Sequence, residues 1–293
     1  MKQKKNTPRL TGEQAFELYY GELYADRWPL LKAALGEDNV YARLSWGKES
    51  YFLDPASLTA ALCLDVTKAS SLLDMCAAPG GKSLVISGIK SPSASLNSNE
   101  RSPARKARLD KVIETVLPEE ISSTVITSLG DAALWCKRQE EAFDAILLDA
   151  PCSSERHVLA DPKYLKDWTP SRVKTLSMEQ WALMSSAWRL LKKGGFLLYA
   201  TCALSHDEND GRVEKLLKKF DDVNICSPDY VKEVLKGNLN NFTADVSWDS
   251  QEFSLDPLTM FSLALKTEYG FHILPDAAKG AGPLYFTLLQ KKY

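Results

Sequence analysis

With 293 residues, 45% of them hydrophobic and 25% charged, the chain can bury the core of one medium-sized domain with a small appendage, which excludes disorder as its resting state. Its 36 basic and 38 acidic residues nearly cancel, so bulk charge gives no sign of a polyanion partner, and any nucleic-acid contact must come from local patches. Six scattered cysteines without a C-x-x-C spacing exclude a disulfide framework and lead us to expect a reducing, cytoplasmic setting, and no apolar run approaches the ~18 residues of a membrane span.

Residues 1 to about 55 read as an N-terminal helical extension, with helices over Gly12–Tyr20 and Tyr24–Leu35 and then an aromatic loop around Tyr41 and Trp46. The rest, 56–293, reads as one α/β domain, because apolar runs alternate with amphipathic stretches as they do in β-α-β units. The spacing predicts strands at Ser71–Asp74, Ser95–Asn99, Thr124–Thr127, Phe143–Asp149 and Phe196–Thr201. Between them it predicts helices over Gly81–Ile89, Pro103–Val116, Ala132–Lys137 and Arg172–Lys192, the last stopped by Gly194-Gly195. A further helix is expected at His206–Phe220, and 231–254 is left unassigned. Phe271–Leu274 and Leu284–Leu289 are expected to form an antiparallel hairpin at the sheet edge.

The run from Leu72 to Ser83 is a strand, a loop of small residues and a helix start, the arrangement by which α/β folds hold nucleotides at strand carboxyl ends. Gly81-Lys82-Ser83 suggests a phosphate-binding P-loop, but that motif needs a glycine where Cys76 stands, and G-x-G-x-x-G fails as well. What remains is an acidic residue followed by small ones: Asp74, Cys76, Ala78, Gly80. Glu100, at the end of the next strand, suits a ribose ligand. Asp131, after the third, suits either the amine of an adenine or a helix N-cap. The implied ligand is an adenosine without phosphates.

Cys152 and Cys202 each follow a predicted strand end beside that loop. A thiolate can add to C6 of a cytosine and make C5 nucleophilic enough to take a methyl group from a sulfonium. A second cysteine can assist release, and Asp149 can contact the N3 and N4 edge of the base. Cys63, Cys76, Cys136 and Cys226 read as core residues. His157, His206 and His272 fall at no ligand spacing with the cysteines, so no metal is assigned.

Taken together, Asp74 to Lys82, Asp149-Ala-Pro-Cys152-Ser and Thr201-Cys202 resemble the Sun/NOL (NSUN-type) family of RNA 5-methylcytosine methyltransferases over about residues 50–290. The resemblance implies a class I, Rossmann-like fold: a mainly parallel seven-stranded sheet with an antiparallel edge strand. It implies S-adenosylmethionine as donor, Cys202 as the nucleophile and Cys152 as the residue needed for product release. Cofactor contacts carry over onto Cys76, Ala77, Ala78, Pro79, Gly80, Gly81, Lys82, Glu100, Arg105, Asp131 and Asp149. Ser154-Glu155-Arg156-His157 stands where many members have an early glycine, and with Ser102 to Leu109 and Gly282 to Phe286 it looks most like the mitochondrial ribosomal-RNA branch. Glu100 replaces the more usual Asp, and Ala200 and Ala203 replace frequent serines.

The partner expected is RNA, chiefly ribosomal, with the target cytosine unpaired or flipped out. The length leaves no room for separate RNA-binding domains, so a specificity partner or a ribosomal particle is a further expectation. The chain is expected to act as a monomer away from membranes. Candidate phosphate contacts are Lys2, Lys4, Lys5 and Arg9, then Arg101, Arg105, Lys106, Arg108 and Lys111, then Arg156, Lys163 and Lys166, all of which also read as solvated faces. Trp168 and His157 are candidate stacking residues, whereas Trp181, Met184 and Trp188 repeat at helical spacing and read as core. Competing readings are a methyltransferase acting on N or O of another substrate, a non-catalytic RNA-binding or assembly factor, and a DNA cytosine methyltransferase. Thr201-Cys202 argues against the last.

Overall fold

The computed structural model describes residues 11–248 and 256–293, so Lys2, Lys4, Lys5 and Arg9 lie outside it. The strands are β1 (Ala42–Ser45), β2 (Tyr51–Leu53), β3 (Ser71–Asp74), β4 (Ser95–Glu100), β5 (Val125–Leu129), β6 (Phe143–Asp149), β7 (Leu191–Thr201), β8 (Val223–Ile225), β9 (Asp245–Trp248), β10 (Leu265–Lys266), β11 (Phe271–Ile273) and β12 (Leu284–Lys291).

The main sheet runs β5-β4-β3-β6-β7-β12, parallel up to β7 and antiparallel at β12. The outer side of β12 is shared. Its Leu284–Phe286 pairs with β11, and Leu289–Lys291 pairs with β8. The expected seven strands are therefore present, and β10 and β11 bring the count to nine among the described residues. The antiparallel hairpin expected there is β11 and β12.

Side chains alternate across a sheet, and the central strands are apolar on both faces, as burial on both sides requires. Leu72, Leu147, Leu198 and Ala200 face one core cluster, together with helix residues Leu58, Leu62, Val85 and Leu235. Leu73, Ile146, Leu148, Leu197 and Tyr199 face the other, against Met184 and Trp188 of the long helix Pro170–Leu190. Met184 and Trp188 are thus core, as their spacing predicts, while Trp181 is half-buried beneath Lys215.

Three expectations change. The long helix ends at Leu190, and Gly194-Gly195 lies inside β7, where the register against β6 shifts. A Cβ on Gly195 would stand 2.6 Å from the Asp144 carbonyl oxygen, so this pair serves an irregularity in the strand and does not stop a helix. The aromatic loop around Tyr41 and Trp46 is the hairpin β1–β2. The unassigned stretch supplies the end of helix Pro228–Asn241, capped by Ser227, and then β9, which pairs with β1 in a separate three-stranded sheet.

The N-terminal helices Gly12–Tyr24 and Trp28–Leu35 form a third core with Trp168, Val173 and Leu204. Tyr24 donates to the Leu204 carbonyl at 2.9 Å, and Arg27 forks onto Asp276 at 2.7 and 3.0 Å. These helices therefore brace the loops that follow β6 and β7. Trp168 is 1% exposed in this core, against Phe16, Tyr19 and Tyr20, so it cannot stack on a base as expected.

Candidate active site

The loop after β3 is wedged between other elements. Gly80 has φ +124°, a region favouring glycine, and a Cβ there would meet Val112 at 3.0 Å. On Gly81 it would stand 2.7 Å from Leu53 and 2.8 Å from Tyr51. The small residues read from the sequence thus let this backbone pass between β2 and the helix Pro103–Val116. Asn99 ties three strand ends together, donating to Met75 O at 3.1 Å and Gly130 O at 3.0 Å.

Two carboxylates are buried in this half, of which Glu100 lines the cavity. Asp74 is buried and accepts from the Ser83 hydroxyl at 2.7 Å, while its Oδ1 has no partner; burial pushes it up to about 7. Glu100 is 2% exposed and accepts from Ser102 N at 2.9 Å. Its Oε2 lies 3.3 Å from the Arg105 guanidinium but makes no hydrogen bond, so it has a charge partner and no aligned donor. Arg105 also donates to Ala78 O at 2.6 Å.

A cavity of about 210 Å³ opens there, lined by Met75, Cys76, Glu100, Arg105, Asp131 and Leu183 among others. An apolar slot with one orphaned carboxylate oxygen fits a ribose and a flat base. Asp131 accepts from Ala133 N at 3.1 Å as a cap, and it also lines the cavity.

A second cavity of about 700 Å³ shares Cys76, Arg105 and Pro151 with the first. Asp149 of β6 pairs in register with Ala200 of β7, which brings the two loops that follow alongside one another. Cys152 and Cys202, both free thiols, face each other with sulfurs 2.9 Å apart. The contact with Cys202, then burial and the Glu208 charge, push the Cys152 thiol well up. Ala78, Pro79, Lys82 and Asp149 line the same cavity. Lys82 reaches Asp149 at 2.7 Å and Ser57 at 3.1 Å. Burial works against its charge, but Asp149 more than offsets this and holds it cationic. Ala77 is buried behind the loop.

Sequence reading missed what fixes these loops. Glu155 and Glu208 are both fully buried on either side of Ser153. The Ser153 hydroxyl contacts both carboxyls, at 2.6 Å on Glu208, and its amide donates to Glu208 at 2.9 Å. Gln180 and Ser205 also donate to Glu208, each at 2.9 Å, while Glu155 takes Tyr20 Oη and Leu204 N. One hydroxyl proton cannot serve two acceptors, so one carboxyl carries a proton and donates back. Burial, and then the Glu208 charge, raise Glu155, which makes it the holder. A signal existed: Ser205-x-x-Glu208 has the spacing of a capping box, and Ser205 does accept from Glu208 N at 3.3 Å.

The expected phosphate contacts are partly spent inside the protein. Arg156 donates to Gly280 O at 2.7 Å and Glu37 O at 3.2 Å, Lys106 pairs with Asp110, and Arg101 reaches Glu179. His157 lines the large cavity and lies against Tyr164.

A parallel sheet closed by an antiparallel strand, with a nucleoside-sized cavity over its carboxyl ends, defines the class of this protein as a Rossmann-like methyltransferase of the class I fold. The chain belongs to the RsmB/F family of 16S rRNA methyltransferases, whose sequence profile matches residues 61–250. It is 32% identical over 252 residues to the mitochondrial tRNA (cytosine(34)-C(5))-methyltransferase of Danio rerio, covering 85% of this chain and 62% of the relative. It is 28% identical over 246 residues to the 5-cytosine rRNA methyltransferase NSUN4 of Mus musculus, covering 82% and 60%. The crystal structure of NSun6 from Pyrococcus horikoshii with SFG superposes with a TM-score of 0.59 at 21% identity, covering 83% of this chain and 53% of that one. The chain thus spans about three fifths of the length of these curated relatives.

Proposed function

We propose that this chain methylates carbon 5 of a cytosine in RNA, with Cys202 as the nucleophile that bonds to C6. The observation that carries the reading is the pair of sulfurs 2.9 Å apart, at adjacent strand ends, in a cavity that shares lining residues with the nucleoside-sized one. Glu100, Asp131 and the loop Cys76 to Lys82 would hold S-adenosylmethionine, which supplies an electrophilic methyl group when bound. Glu100 Oε2, ion-paired with Arg105 but without a hydrogen bond, offers the ribose an acceptor.

In the chemical step, Cys202 adds to C6 and the ring electrons move to C5. Asp149, ion-paired with Lys82, accepts from the N4 amine on the polar edge of the base and orients it for attack, and the Lys82 cation beside it offsets the negative charge that enters the ring. After transfer, Cys152 assists removal of the C5 proton and the electron pair returns to the Cys202 sulfur as the C6–S bond breaks. Ribosomal RNA is the substrate this reading favours. Transfer RNA is a second reading, favoured by the higher identity to the Danio rerio relative.

The test is adduct trapping. Cys152→Ala incubated with S-adenosylmethionine and either naked RNA or small ribosomal particles should give an RNA-linked protein band that persists under denaturing conditions and disappears when Cys202 is also replaced. Sequencing the trapped RNA names the target, and the form of RNA that yields the band shows whether an assembled particle is needed. Methyl transfer by Cys202→Ala would sink the reading.

A further inference from the structure

Beside the two sulfurs sits Ser154, where many family members have a glycine. Ser154 has φ +53° and ψ +63°, a left-handed conformation that costs a side-chain-bearing residue about 1 kcal/mol or more. It precedes the helix Glu155–Ala160, where serine is among the best N-caps, yet its side chain makes no capping hydrogen bond. The hydroxyl turns instead into the large cavity. It lies 3.2 Å from Cys202 Sγ, 3.5 Å from Cys152 Sγ and 3.4 Å from the Cys152 carbonyl oxygen. A strained backbone and a forgone cap are both accounted for if the hydroxyl has a task at the sulfurs.

We propose that Ser154 is a further catalytic residue, whose hydroxyl donates a hydrogen bond to the Cys202 sulfur and stabilises the negative charge it carries before attack and again on leaving C6. The inference rests on the reading of Cys202 as nucleophile. Ser154 gives up no proton; it is a fixed donor. Of the three acceptors within its reach the Cys202 sulfur is the nearest, and for a sulfur acceptor 3.2 Å is a short contact. The backbone holds the donor in place before the base arrives, so no reorganisation is required at the moment of attack.

The test uses the full chain and two variants, Ser154→Ala and Ser154→Gly. Alkylation of Cys202 by iodoacetamide at neutral pH, quantified by peptide mass spectrometry, should slow about threefold in both, a roughly tenfold loss of thiolate being partly offset by the higher nucleophilicity of the more basic thiolate. Removing a side chain from the cavity eases access, which would speed the reaction, so slowing cannot arise from sterics. Ser154→Gly also relieves the left-handed strain, so its urea midpoint should rise while Cys202 reactivity falls. A residue placed there only for structure would show neither that opposition nor any change in Cys202 reactivity. Unchanged alkylation of Cys202 in both variants overturns the proposal. Failure of the underlying reading shows differently, as methyl transfer that survives Cys202→Ala whatever the alkylation rates.

Discussion

The two halves of the site treat their buried carboxylates in opposite ways. In the half beside β3 and β4, Asp74 Oδ1 and Glu100 Oε2 are left without a hydrogen bond. In the half beside β6 and β7, every carboxylate oxygen of Glu155 and Glu208 has a partner from Ser153, Tyr20, Gln180, Leu204 or Ser205. An unpartnered buried oxygen is costly and persists where a ligand can supply the missing donor. A satisfied one spends its interactions on rigidity. One half is therefore built to receive, and the other to hold two sulfurs still.

This contrast can be broken most severely at Cys202. Cys202→Ala should lower methyl transfer by about a thousandfold or more and leave S-adenosylmethionine binding unchanged, measured by filter assay and calorimetry on the same sample. Weakened cofactor binding would show that the halves are not separable. Next in size, Glu208→Ala strands the donors of Ser153, Ser205 and Gln180. It should cost about 3–5 kcal/mol in urea unfolding, and a loss below about 1 kcal/mol would remove the clamp from the account. Glu100→Ala should weigh on binding instead, raising the Kd for S-adenosylmethionine about tenfold or more, while loss of the Ser102 amide's acceptor costs only about 1–2 kcal/mol of apo stability.

The smallest effect concerns pH. Asp74 keeps its proton in the fold up to about pH 7, whereas the unfolded chain releases it near the ordinary aspartate value of 3.8. The folded state therefore binds more protons across that window. The stability this contributes is complete below about pH 4 and is lost as pH rises through 7. Asp74→Asn should flatten the fall in melting temperature between pH 5 and 8 by a few degrees. A wild-type curve that does not fall more steeply than that of the variant would contradict an unpartnered, proton-bearing Asp74.

The same divide marks what could be read in advance. The receiving half is local in sequence: strand, small-residue loop and helix follow within a few residues, and Ser71–Asp74, Gly81–Ile89 and Pro103–Val116 fall at their expected bounds. Cys152 and Cys202 were legible because each follows a recognisable strand end. The clamp was not, because whether a carboxylate is buried depends on which distant chain covers it, here Tyr20 on a helix 135 positions away from Glu155. Trp168 was misread for the same reason: its exposure is decided by the N-terminal helices. β1, β2 and β9 escaped because, unlike the equally short β3, they are not followed by a recognisable small-residue loop and helix, and β9 finds its partner far back in the chain.

The placement of β12 has a consequence for biogenesis. β7, which leads into Cys202, has β6 on one side and β12 on the other, with Thr201 itself paired to Tyr285. On a translating ribosome the strand that leads into Cys202 emerges with one edge bare, and it stays so until residues 284–291 have been made. Every backbone group along that edge is meanwhile free to bond water or another chain. A truncated translation product ending before β12 thus has both cysteines and the whole nucleotide loop, but no finished sheet to set the thiols in place.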